Sequence, residues 1–418
     1  MRIALLHYSA PPIVGGVESV LYHQARFLKE YGHEVHIIAG RGNTWSAEIP
    51  FHRIPLIDSK HPEILAVNKA LARGQVPDAF YRLRDDIQQA IAPLLSSLEV
   101  VIAHNVLTLH KNLPLTAALY ELIARQRLVP LVAFAHDLAW KDELYLPELH
   151  EGYPWDLLRT PWPHVQYVAI SKHRQEWLAE LFGWAPEKIP VIYPGIDAES
   201  FLELEPLTRS LNRQLHLFQA DPLFLYPTRI TRRKNIEGAL HIMAHLKTYY
   251  PHIQLLITGP PGPHNTANQQ YLQELQQLRH SLGLHSHVHF LYEYGTDGSA
   301  PLLLPDSVIA DLYRMSDAML FTSKREGFGI PVLEAGLIHL PIFAYPLPSF
   351  QESADDLIHY LPPTAPPEHQ AAMIHQILQQ YPAHILRRRI IRSFTYQTII
   401  PHQLLPLLQS VTEAQAHS

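Results

Sequence analysis

Short apolar runs alternate with amphipathic segments along most of the chain. In its first part, RIALLHY (2–8), EVHIIAG (34–40) and VVIAHN (100–105) have the length and apolar content of buried strands, whereas residues 17–31 repeat apolar positions at helical spacing. Strands that are separated by helices predict parallel sheets covered by helices on both faces. The pattern therefore predicts the α/β class.

The alternation pauses near residues 191–201 and resumes at residue 223, which predicts two doubly wound, Rossmann-like domains of about 1–200 and 201–395. Open sheets of this kind bind ligands beyond the carboxyl ends of their strands, so two domains facing each other would form a cleft. The remaining predicted strands are PLVAFAHD (130–137), YVAIS (167–171), LFLYPTRI (223–230), IQLLITGPPG (253–262), HVHFLYE (287–293), DAMLFTS (317–323) and LPIFAYP (340–346).

The final segment, residues 393–411, has the pattern of a helix that is apolar on one side. Pro401 and Pro406 predict that this helix kinks or breaks. The N-terminal apolar run is too short for a signal peptide and reads as a buried strand. Since no stretch approaches the ~18 apolar residues of a membrane span, we expect at most peripheral membrane contact.

Composition narrows the function classes. The 418 residues exceed the ~250 to 300 that one hydrophobic core supports, in agreement with two domains. Residues 1–197 carry 18 Lys and Arg against 21 Asp and Glu, and the remainder carries 15 against 18. Nucleic-acid binding is disfavoured, because it requires a surplus of basic residues. The lack of cysteine excludes disulfides and thiolate metal sites and favours a cytoplasmic location.

A basic turn, PTRITRRKN (227–235), joins a predicted strand to a helix that begins near Asn235. Unpaired N–H groups and the helix dipole make such a helix start attractive to anions. Arg229 and Lys234 would add a planar fork and a point charge, which together suit a diphosphate. A solvated basic turn without a ligand is the alternative interpretation.

Two strand ends of the first half carry further candidate residues. Gly15 and Gly16 precede the first predicted helix and would let its backbone approach an oxyanion, although a plain tight turn has the same sequence. His136 and Asp137 end the strand PLVAFAHD, where they could hydrogen-bond a polyol or transfer a proton. A structural histidine is the alternative interpretation of His136.

Metal and nucleophile chemistry have little support. His285, His287 and His289 would alternate onto one face of a strand, but no nearby carboxylate completes a metal site, and a polar stripe explains the same spacing. The chain contains neither an H-E-x-x-H motif nor a G-x-S-x-G elbow. We therefore predict no metal ligands.

The segment REGFGIPVLEAG (325–336) follows the predicted strand DAMLFTS and leads into a helix that begins near Pro331. Glu326 would lie in the loop and Glu334 about one turn into the helix. Acidic side chains at a helix start complement its dipole, which explains Glu334 but not Glu326 or the glycines. Because carboxylates repel phosphate, sugar hydroxyls beside a phosphate are the expected ligands of this pair.

These motifs resemble those of the retaining, nucleotide-sugar-dependent glycosyltransferases of family 4, which have the GT-B architecture. The resemblance covers nearly the whole chain. Glu326 and Glu334 have the spacing of the family's E-x7-E motif, Arg229 and Lys234 resemble its R-x4-K clamp, and GGVE (15–18) resembles its glycine loop. YPGID (193–197) resembles the segment that closes the first domain, and ITGPPG (257–262), with Gly259, the strand and loop near the nucleotide.

The resemblance implies a role for each matched residue. Glu326 is expected to contact the donor sugar, Glu334 the ribose hydroxyls, and His136 the transferred sugar. The C-terminal helix, about 396–418, is expected to pack on the first domain. Catalytic roles are implied for Arg229, Lys234, Glu326 and His136, and donor contacts for Gly15, Gly16, Asp137, Gly259, Gly327, Phe328, Gly329, Ile330 and Glu334, of which Phe328, Gly329 and Ile330 would act through their backbone N–H groups.

Three departures from the family pattern bear on the site. His339 replaces a frequent glycine, FLYEY (290–294) stands where FLG is common, and the segment with Glu352 lacks its usual glycine. The second departure suggests an unusual base pocket. The role of Glu352 is not defined by the pattern.

The implied activity is retaining transfer of a hexosyl group, glucose or mannose, from a UDP- or GDP-sugar to an acceptor hydroxyl. The donor is a substrate, and no cofactor or metal is expected. A slightly acidic first domain favours a soluble acceptor, such as a sugar or a glycerate-type molecule, over an anionic membrane lipid. Two alternatives are a GT-B sugar phosphorylase or synthase that uses phosphate or a sugar phosphate, and a non-catalytic binder of nucleotide sugars or carbohydrates.

Overall fold

The computed structural model describes residues 1–126, 128–262, 267–295 and 301–416. The chain forms two compact units. The first contains Met1–Asp197 and Phe394–Ser418, and the second contains Ala198–Ser393. Each unit has its own parallel sheet and its own buried apolar core.

In the first unit, six described strands form a parallel sheet of order β3-β2-β1-β4-β5-β6. This is the strand order of the Rossmann fold, in which the carboxyl ends of β1 and β4 flank the point where the order reverses. The strands are β1 Arg2–Ser9, β2 Glu34–Arg41, β3 Phe51–Arg53, β4 Val100–His104, β5 Leu131–Ala135 and β6 Val165–Ala169.

The second unit repeats this arrangement. Its six described strands are all parallel and follow the order β12-β11-β10-β7-β8-β9, so that β7 and β10 hold the central positions. The strands are β7 Leu223–Tyr226, β8 Gln254–Ile257, β9 Val288–Phe290, β10 Ala318–Phe321, β11 Ile342–Ala344 and β12 His359–Tyr360.

Helices cover both sheets, because the central strands are apolar on both of their faces. The described α-helices are α1 Gly16–Glu30, α2 Pro62–Leu71, α3 Asp78–Leu95, α4 Leu113–Leu119, α5 Lys172–Phe182, α6 Ala198–Phe201, α7 Pro206–Leu215, α8 Ile236–Tyr249, α9 Ala267–Ser281, α10 Asp306–Met315, α11 Ile330–Leu337, α12 Pro348–Ala354, α13 Pro367–Gln379, α14 Pro382–Ser393, α15 Tyr396–Ile399 and α16 Leu405–Ala416. None of them is long and apolar enough to cross a membrane.

The C-terminal segment packs within the first unit. Tyr396 stacks on Phe27 of α1 with ring centroids 5.6 Å apart, and Ile400 is fully buried in the same core as Ile3 of β1. A π-helical segment, Ile400–Leu404, separates α15 from α16 and contains Pro401. A helix interrupted at a proline is what the sequence predicts, since proline cannot donate a backbone hydrogen bond.

The predicted strands correspond to strands of the structure, but several bounds differ. The strand predicted at 167–171 begins two residues earlier, because Val165 pairs with Leu131 at the sheet edge. The strand predicted at 287–293 ends at Phe290, where the short 3-10 helix Leu291–Glu293 begins. The edge strands β3 and β12 are not predicted, because they are only three and two residues long and lack a buried apolar run.

Candidate functional site

The E-x7-E segment connects β10 to α11 in the second unit. Gly329 precedes α11 in a left-handed conformation, with φ of +91°, and a Cβ atom there would lie 2.5 Å from the buried ring of Phe350. Both constraints require glycine at this position. The Gly-Phe-Gly turn therefore fixes the direction in which α11 begins, and Glu334 lies one turn into that helix.

The start of α11 offers unpaired hydrogen-bond donors. The backbone N–H groups of Phe328, Gly329 and Ile330 make no hydrogen bond to any residue that the structure describes. Phe328 and Ile330 are exposed, at 46% and 61%. Donors of this kind, aligned with the helix dipole, favour an anion or a hydroxyl oxygen.

Glu326 forms an ion pair with Lys234, whose Nζ atom lies 2.6 Å from Oε1 of Glu326. Arg233 reaches the other carboxylate oxygen with an Nη1 to Oε2 distance of 3.2 Å. The Lys234 and Glu326 side chains are both less than a tenth exposed. Burial lowers the pKa of Lys234, and the hydrogen bond and charge of Glu326 oppose this shift.

Hydrogen bonds from side chains to backbone carbonyls hold the basic turn against the end of β10. Asn235 has a left-handed backbone, with φ of +50°, and its Nδ2 donates to the carbonyl of Thr322 at 3.1 Å. Thr322 Oγ1 donates in return to the carbonyl of Asn235 at 2.8 Å, and the Tyr226 hydroxyl donates to the carbonyl of Lys234. These bonds place Lys234 next to the loop that carries Glu326.

A cavity of about 630 Å³ lies beside this turn within the second unit. Arg229 and Gly259 line it at the ends of β7 and β8, and Glu334 of α11 lines it from another side. Apolar residues contribute much of the remaining described lining, namely Leu303, Leu304, Ile309, Ala310, Leu337 and Ile338. A pocket with apolar walls and a few converging polar groups has the composition of a small-molecule site.

Tyr313 of α10 orients Glu334 in this cavity. The Tyr313 hydroxyl donates to Oε2 of Glu334 at 2.6 Å. Burial raises the pKa of Tyr313, and its bond to the Glu334 carboxylate raises it further, so the phenol stays protonated as a donor. The second oxygen of Glu334 has no hydrogen-bond partner among the described residues and can accept from a ligand.

Gly259 permits a close approach between two strand ends. Its N–H donates to the carbonyl of Thr228 at 2.8 Å, and a Cβ atom at position 259 would lie 2.3 Å from that same carbonyl oxygen. Because the obstruction is backbone, it cannot move aside as a side chain would. Any larger residue would push the loop of Arg229 outward.

Four of the residues predicted to bind the donor substrate form two separate pairs in the structure. Arg229 and Glu334 share the cavity, whereas Lys234 and Glu326 pair with each other outside its described lining. The sequence predicts that Arg229 and Lys234 act together, and it does not predict either of these pairings. The Arg229 side chain is exposed and makes no hydrogen bond or ion pair with a described residue.

In the first unit, His136 belongs to a cluster of three buried histidines. Nε2 of His136 lies 3.0 Å from Nδ1 of His104, and Nδ1 of His7 donates to the carbonyl of His104 at 2.8 Å. Burial, with the charge of His7, lowers the pKa of His136 to about 3 and holds the pKa of His104 well below its usual range. His136 is therefore neutral near pH 7 and suited to hydrogen bonding.

Asn105 fixes the position of His136 and Asp137. Its Oδ1 accepts from the backbone N–H groups of both residues, at 2.9 and 3.0 Å, and its Nδ2 donates to Oδ2 of Asp137 at 3.0 Å. The Asn105 backbone is left-handed, with φ of +64°. Sequence reasoning missed His104 and Asn105, although they end a predicted strand, as His136 does.

The Glu18 side chain lies against the glycine loop of Gly15 and Gly16. A Cβ atom at Gly15 would lie 2.1 Å from Oε2 of Glu18, and Ser9 donates to the other carboxylate oxygen at 2.6 Å. Gly15 has an extended backbone, with φ of −173°, and Gly16 has open space around it. The loop thus presents a carboxylate beside Gly15, which the sequence pattern does not predict.

The strand predicted around the histidines of 285–289 is shorter than expected. Only His289 lies in β9, where it is buried and its Nδ1 is 2.9 Å from the Tyr294 hydroxyl, while Nδ1 of His287 is bonded to the carbonyl of Ile253 at 2.9 Å. The described residues contain no group of three or more potential metal ligands.

The departures from the family pattern have local structural counterparts. His339 adopts the left-handed backbone that a glycine accepts most easily, with φ of +58°. None of residues 290–294 belongs to the described lining of the 630 Å³ cavity. Glu352 is exposed on α12, and the structure gives it no partner among the described residues.

Comparison with known proteins gives two family matches. Residues 14–200 match the model for "Glycosyltransferase Family 4", and residues 208–394 match the model for "Glycosyl transferases group 1". Two similar curated proteins are both called mannosylglucosylglycerate synthase. The one from Petrotoga mobilis is 24% identical over 377 residues, which cover 84% of each chain. The one from Thermotoga maritima is 23% identical over 375 residues, which cover 82% of this chain and 80% of the relative.

A solved structure of Anabaena Alr3699/HepE in complex with UDP-glucose aligns over 100% of both chains, with 17% identity and a TM-score of 0.35.

The two family matches lie in succession and leave out only 1–13, 201–207 and the last 24 residues of the chain. This chain therefore belongs to the family 4 glycosyltransferases, the retaining, nucleotide-sugar-dependent enzymes of GT-B architecture.

Proposed function

We propose that this glycosyltransferase moves a glucosyl or mannosyl group from a UDP- or GDP-sugar to a hydroxyl of a small polar acceptor, with retained anomeric configuration. In the reaction, the bond between the sugar C1 and the diphosphate oxygen breaks, and a bond forms between C1 and the acceptor oxygen. The acceptor's proton passes to the leaving phosphate oxygen, and the nucleoside diphosphate departs.

The observation that carries this proposal is the cavity in which Arg229, Glu334 and Gly259 converge. An exposed guanidinium without a partner among the described residues suits the diphosphate, and the Glu334 oxygen that Tyr313 leaves free suits ribose hydroxyls. The apolar walls formed by Leu337 and Ile338 suit the flat faces of a nucleobase. The groups suited to the diphosphate, the ribose and the nucleobase of the donor substrate therefore all line one cavity of the second unit.

Lys234 and Glu326 would act beside this cavity as a preorganised pair. The ammonium group of Lys234 has three N–H donors, and Glu326 uses one of them, so two remain for phosphate oxygens. Glu326 accepts from Lys234 and Arg233 and still has lone pairs for a sugar hydroxyl. Charge that develops on the leaving phosphate would meet donors already in position, which is electrostatic preorganisation.

The N–H groups of Phe328, Gly329 and Ile330 would extend this preorganisation. They carry partial positive charge at a helix start and need no reorientation. Because Arg229, Lys234 and these N–H groups can balance the diphosphate, we propose that the reaction needs no metal ion. The expected result is unchanged turnover after treatment with a chelator, and loss of turnover that Mg²⁺ restores would contradict it.

The first unit would contribute His136, Asp137 and the glycine loop of Gly15 and Gly16. A neutral His136 can hydrogen-bond a sugar hydroxyl through Nδ1, which makes no hydrogen bond to a described residue. Its other nitrogen is engaged with His104, so the ring orientation is set. We propose that His136 orients the transferred sugar and does not act as a charged acid.

The choice of sugar rests on relatives. Two similar proteins are named mannosylglucosylglycerate synthase, and such a name describes a product with mannosyl, glucosyl and glycerate parts. A small polar acceptor also agrees with a first unit that lacks a basic surplus. We propose glucose or mannose as the transferred sugar and a soluble acceptor.

The test is a thermal-shift screen of UDP-, GDP- and ADP-sugars, followed by product analysis. A bound donor must raise the melting temperature, since it binds only the folded state. Lys234→Ala should abolish the donor-dependent turnover, and unchanged turnover in this variant would overturn the proposal. Turnover that requires inorganic phosphate would identify a phosphorylase, and donor binding without any turnover would identify a non-catalytic binder.

A further inference from the structure

A second cavity, of about 400 Å³, lies in the first unit, whereas the cavity of Arg229 and Glu334 belongs to the second unit. Three lysines line it, Lys60, Lys69 and Lys111, together with His110 and Glu148. We call it the lysine cavity. It has no role in the function proposed so far.

The lysine cavity has a positively charged lining, although residues 1–197 as a whole are slightly acidic. Its described lining carries three lysines against one glutamate, in a part of the chain where acidic residues outnumber basic ones by 21 to 18. Lys60 and Lys69 are exposed, and the structure gives neither side chain an ion pair with a described residue. An excess of unpaired positive charge in a concave surface favours an anionic ligand.

Lys111 is held at the wall of this cavity. Its carbonyl accepts from Nδ2 of Asn68 at 2.8 Å, and Nζ lies 4.0 Å from the centre of the Tyr145 ring. Burial lowers the pKa of Lys111, while the charges of Glu148 and Asp142 oppose the shift. Such a lysine is partly desolvated, so an anion that reaches it exchanges less water than it would at an open surface.

His110 and Glu148 lie in the same wall. Nε2 of His110 lies 2.8 Å from Oε2 of Glu148 and 3.2 Å from Nζ of Lys111. Its Nδ1 is buried and has no hydrogen-bond partner among the described residues, and the side chain is only 8% exposed. When Nε2 donates to Glu148, Nδ1 of the neutral ring is an acceptor and does not attract an anion, so the positive charge of this cavity comes from its lysines alone.

The lysine cavity is connected to the loop of His136. The backbone N–H of Ala139 donates to the carbonyl of Thr108 at 2.9 Å. Ala139 follows His136 by three residues, and Thr108 precedes Lys111 by three residues. Both segments follow the carboxyl ends of adjacent strands, β4 and β5, where the ligands of open α/β sheets bind.

We propose that the lysine cavity binds the anionic group of the acceptor, a carboxylate or a phosphate on a small hydroxylated molecule. This inference rests on the proposed function, and it adds the charge of the acceptor. Lys60, Lys69 and Lys111 hold the anion, and the free hydroxyl extends along the β4 and β5 loops toward His136. The enzyme thereby selects acidic acceptors over neutral sugars of the same size.

Binding measurements test the proposal without the donor. Wild-type protein is titrated calorimetrically with glucuronate, glucose 6-phosphate and neutral glucose at low and high salt. We expect one or both anions to bind at least about tenfold more tightly than glucose, with affinity that falls as salt rises. The two anions separate a carboxylate site from a phosphate site. Equal binding of the anions and glucose, or binding of none of them, would overturn the proposal.

Charge-removing variants locate the site. Lys60→Gln/Lys69→Gln changes exposed side chains that have no described ion pair, so the fold should be retained, and the preferred anion should lose roughly tenfold or more in affinity. Lys188→Gln removes one exposed lysine outside the cavity and is the control. Anion affinity that the double variant keeps would place the site elsewhere and contradict the proposal.

Kinetics then separate this inference from the proposed function. With the preferred anionic acceptor, the double variant should raise the acceptor KM roughly tenfold while kcat changes much less. Protein that turns over no nucleotide sugar would refute the proposed function and leave the calorimetric result to decide the anion site. Protein that glycosylates glucose as well as either anion would refute the anion site alone.

Discussion

The Nζ atom of Lys234 lies 2.6 Å from Oε1 of Glu326, and this ion pair joins two loops of the second unit that are 92 residues apart in sequence. Both side chains are less than a tenth exposed, so water solvates neither charge well. Each charge is therefore stabilised by the other. Arg233 shares the carboxylate. A donor diphosphate would therefore meet a lysine whose position is already fixed by an acidic partner.

The ion pair predicts a non-additive mutant cycle. Lys234→Met and Glu326→Gln should each lower the free energy of unfolding of the second unit by about 1 to 3 kcal/mol, because each removes one charge of a largely buried ion pair. The loss of unfolding free energy in the double variant should be smaller than the sum of the two single losses, by about 1 kcal/mol or more. Thermal or urea unfolding followed by circular dichroism measures these changes.

The chain supplies an internal control for that cycle. All six tryptophans, the earliest Trp45 and the last Trp184, lie in the first unit, so tryptophan fluorescence follows its unfolding. The variants should leave the fluorescence transition in place. Strictly additive losses would show that Lys234 and Glu326 do not interact in solution.

Gly259 predicts a sensitive position in the cavity wall. Gly259→Ala would bring a Cβ atom to 2.3 Å from the backbone oxygen of Thr228, so we expect a loss of stability of about 1 to 3 kcal/mol and a weaker donor-induced thermal shift. Gly336→Ala is the matched control, because the position that its methyl group would occupy has open space for 4 Å around it, and alanine favours the helix. Equal stability of the two variants would contradict this account of Gly259.

Tyr313 predicts a separation between binding and catalysis. Tyr313→Phe removes the hydroxyl that donates to Glu334 at 2.6 Å and leaves the ring in the cavity wall. If Glu334 binds the ribose, the donor KM should rise roughly fivefold to tenfold while kcat changes little, since one charge-assisted hydrogen bond is lost. Glu334→Ala should raise the donor KM further. A selective fall in kcat in either variant would argue for a role in the chemical step.

The histidine cluster predicts acid sensitivity of the first unit. The folded pKa of His136 is lowered to about 3, and those of His7 and His104 are also lowered, chiefly by burial. Below the unfolded pKa of about 6.5, the unfolded chain binds protons that the folded chain excludes. The free energy of unfolding should thus fall as the pH drops from about 6.5 toward 3, by up to ~1.4 kcal/mol per pH unit for each histidine.

Denaturation followed by tryptophan fluorescence at pH 7, 6 and 5 measures this dependence. His136→Asn should reduce the slope by the share of one histidine, and the exposed His173→Asn should leave it unchanged. A wild-type slope near zero between pH 6 and 5 would show that the cluster takes up protons in the folded protein.

His339 predicts a stabilising substitution. Its left-handed backbone, with φ of +58°, is costly for a residue with a Cβ atom, and its side chain has no described hydrogen bond. His339→Gly should raise the free energy of unfolding by about 0.5 to 1 kcal/mol. His339→Ala keeps the strain and should not. A destabilised glycine variant would show that the imidazole makes contacts in solution that outweigh the strain.

Local pattern was sufficient for much of the fold. Apolar runs predicted the strands from β1 to β11 apart from the three-residue β3, because burial on both faces leaves a continuous apolar signal. The apolar pattern did not predict β3 and β12, because these short strands are defined by pairing with a neighbouring strand and not by their own composition. Several predicted strand ends differ from those of the structure for the same reason, since pairing decides where a strand begins and ends.

The sequence by itself determined the glycine turn before α11, the spacing of Glu326 and Glu334, and the basic turn after β7, because each depends on a few consecutive residues. Only the tertiary structure decided their partners. Lys234 meets Glu326 and Arg229 shares a cavity with Glu334, since parallel strands bring distant loops to one sheet edge. The contact of His136 with His104 and the gathering of three lysines beside His110 arise in the same way, through pairings that no local period encodes.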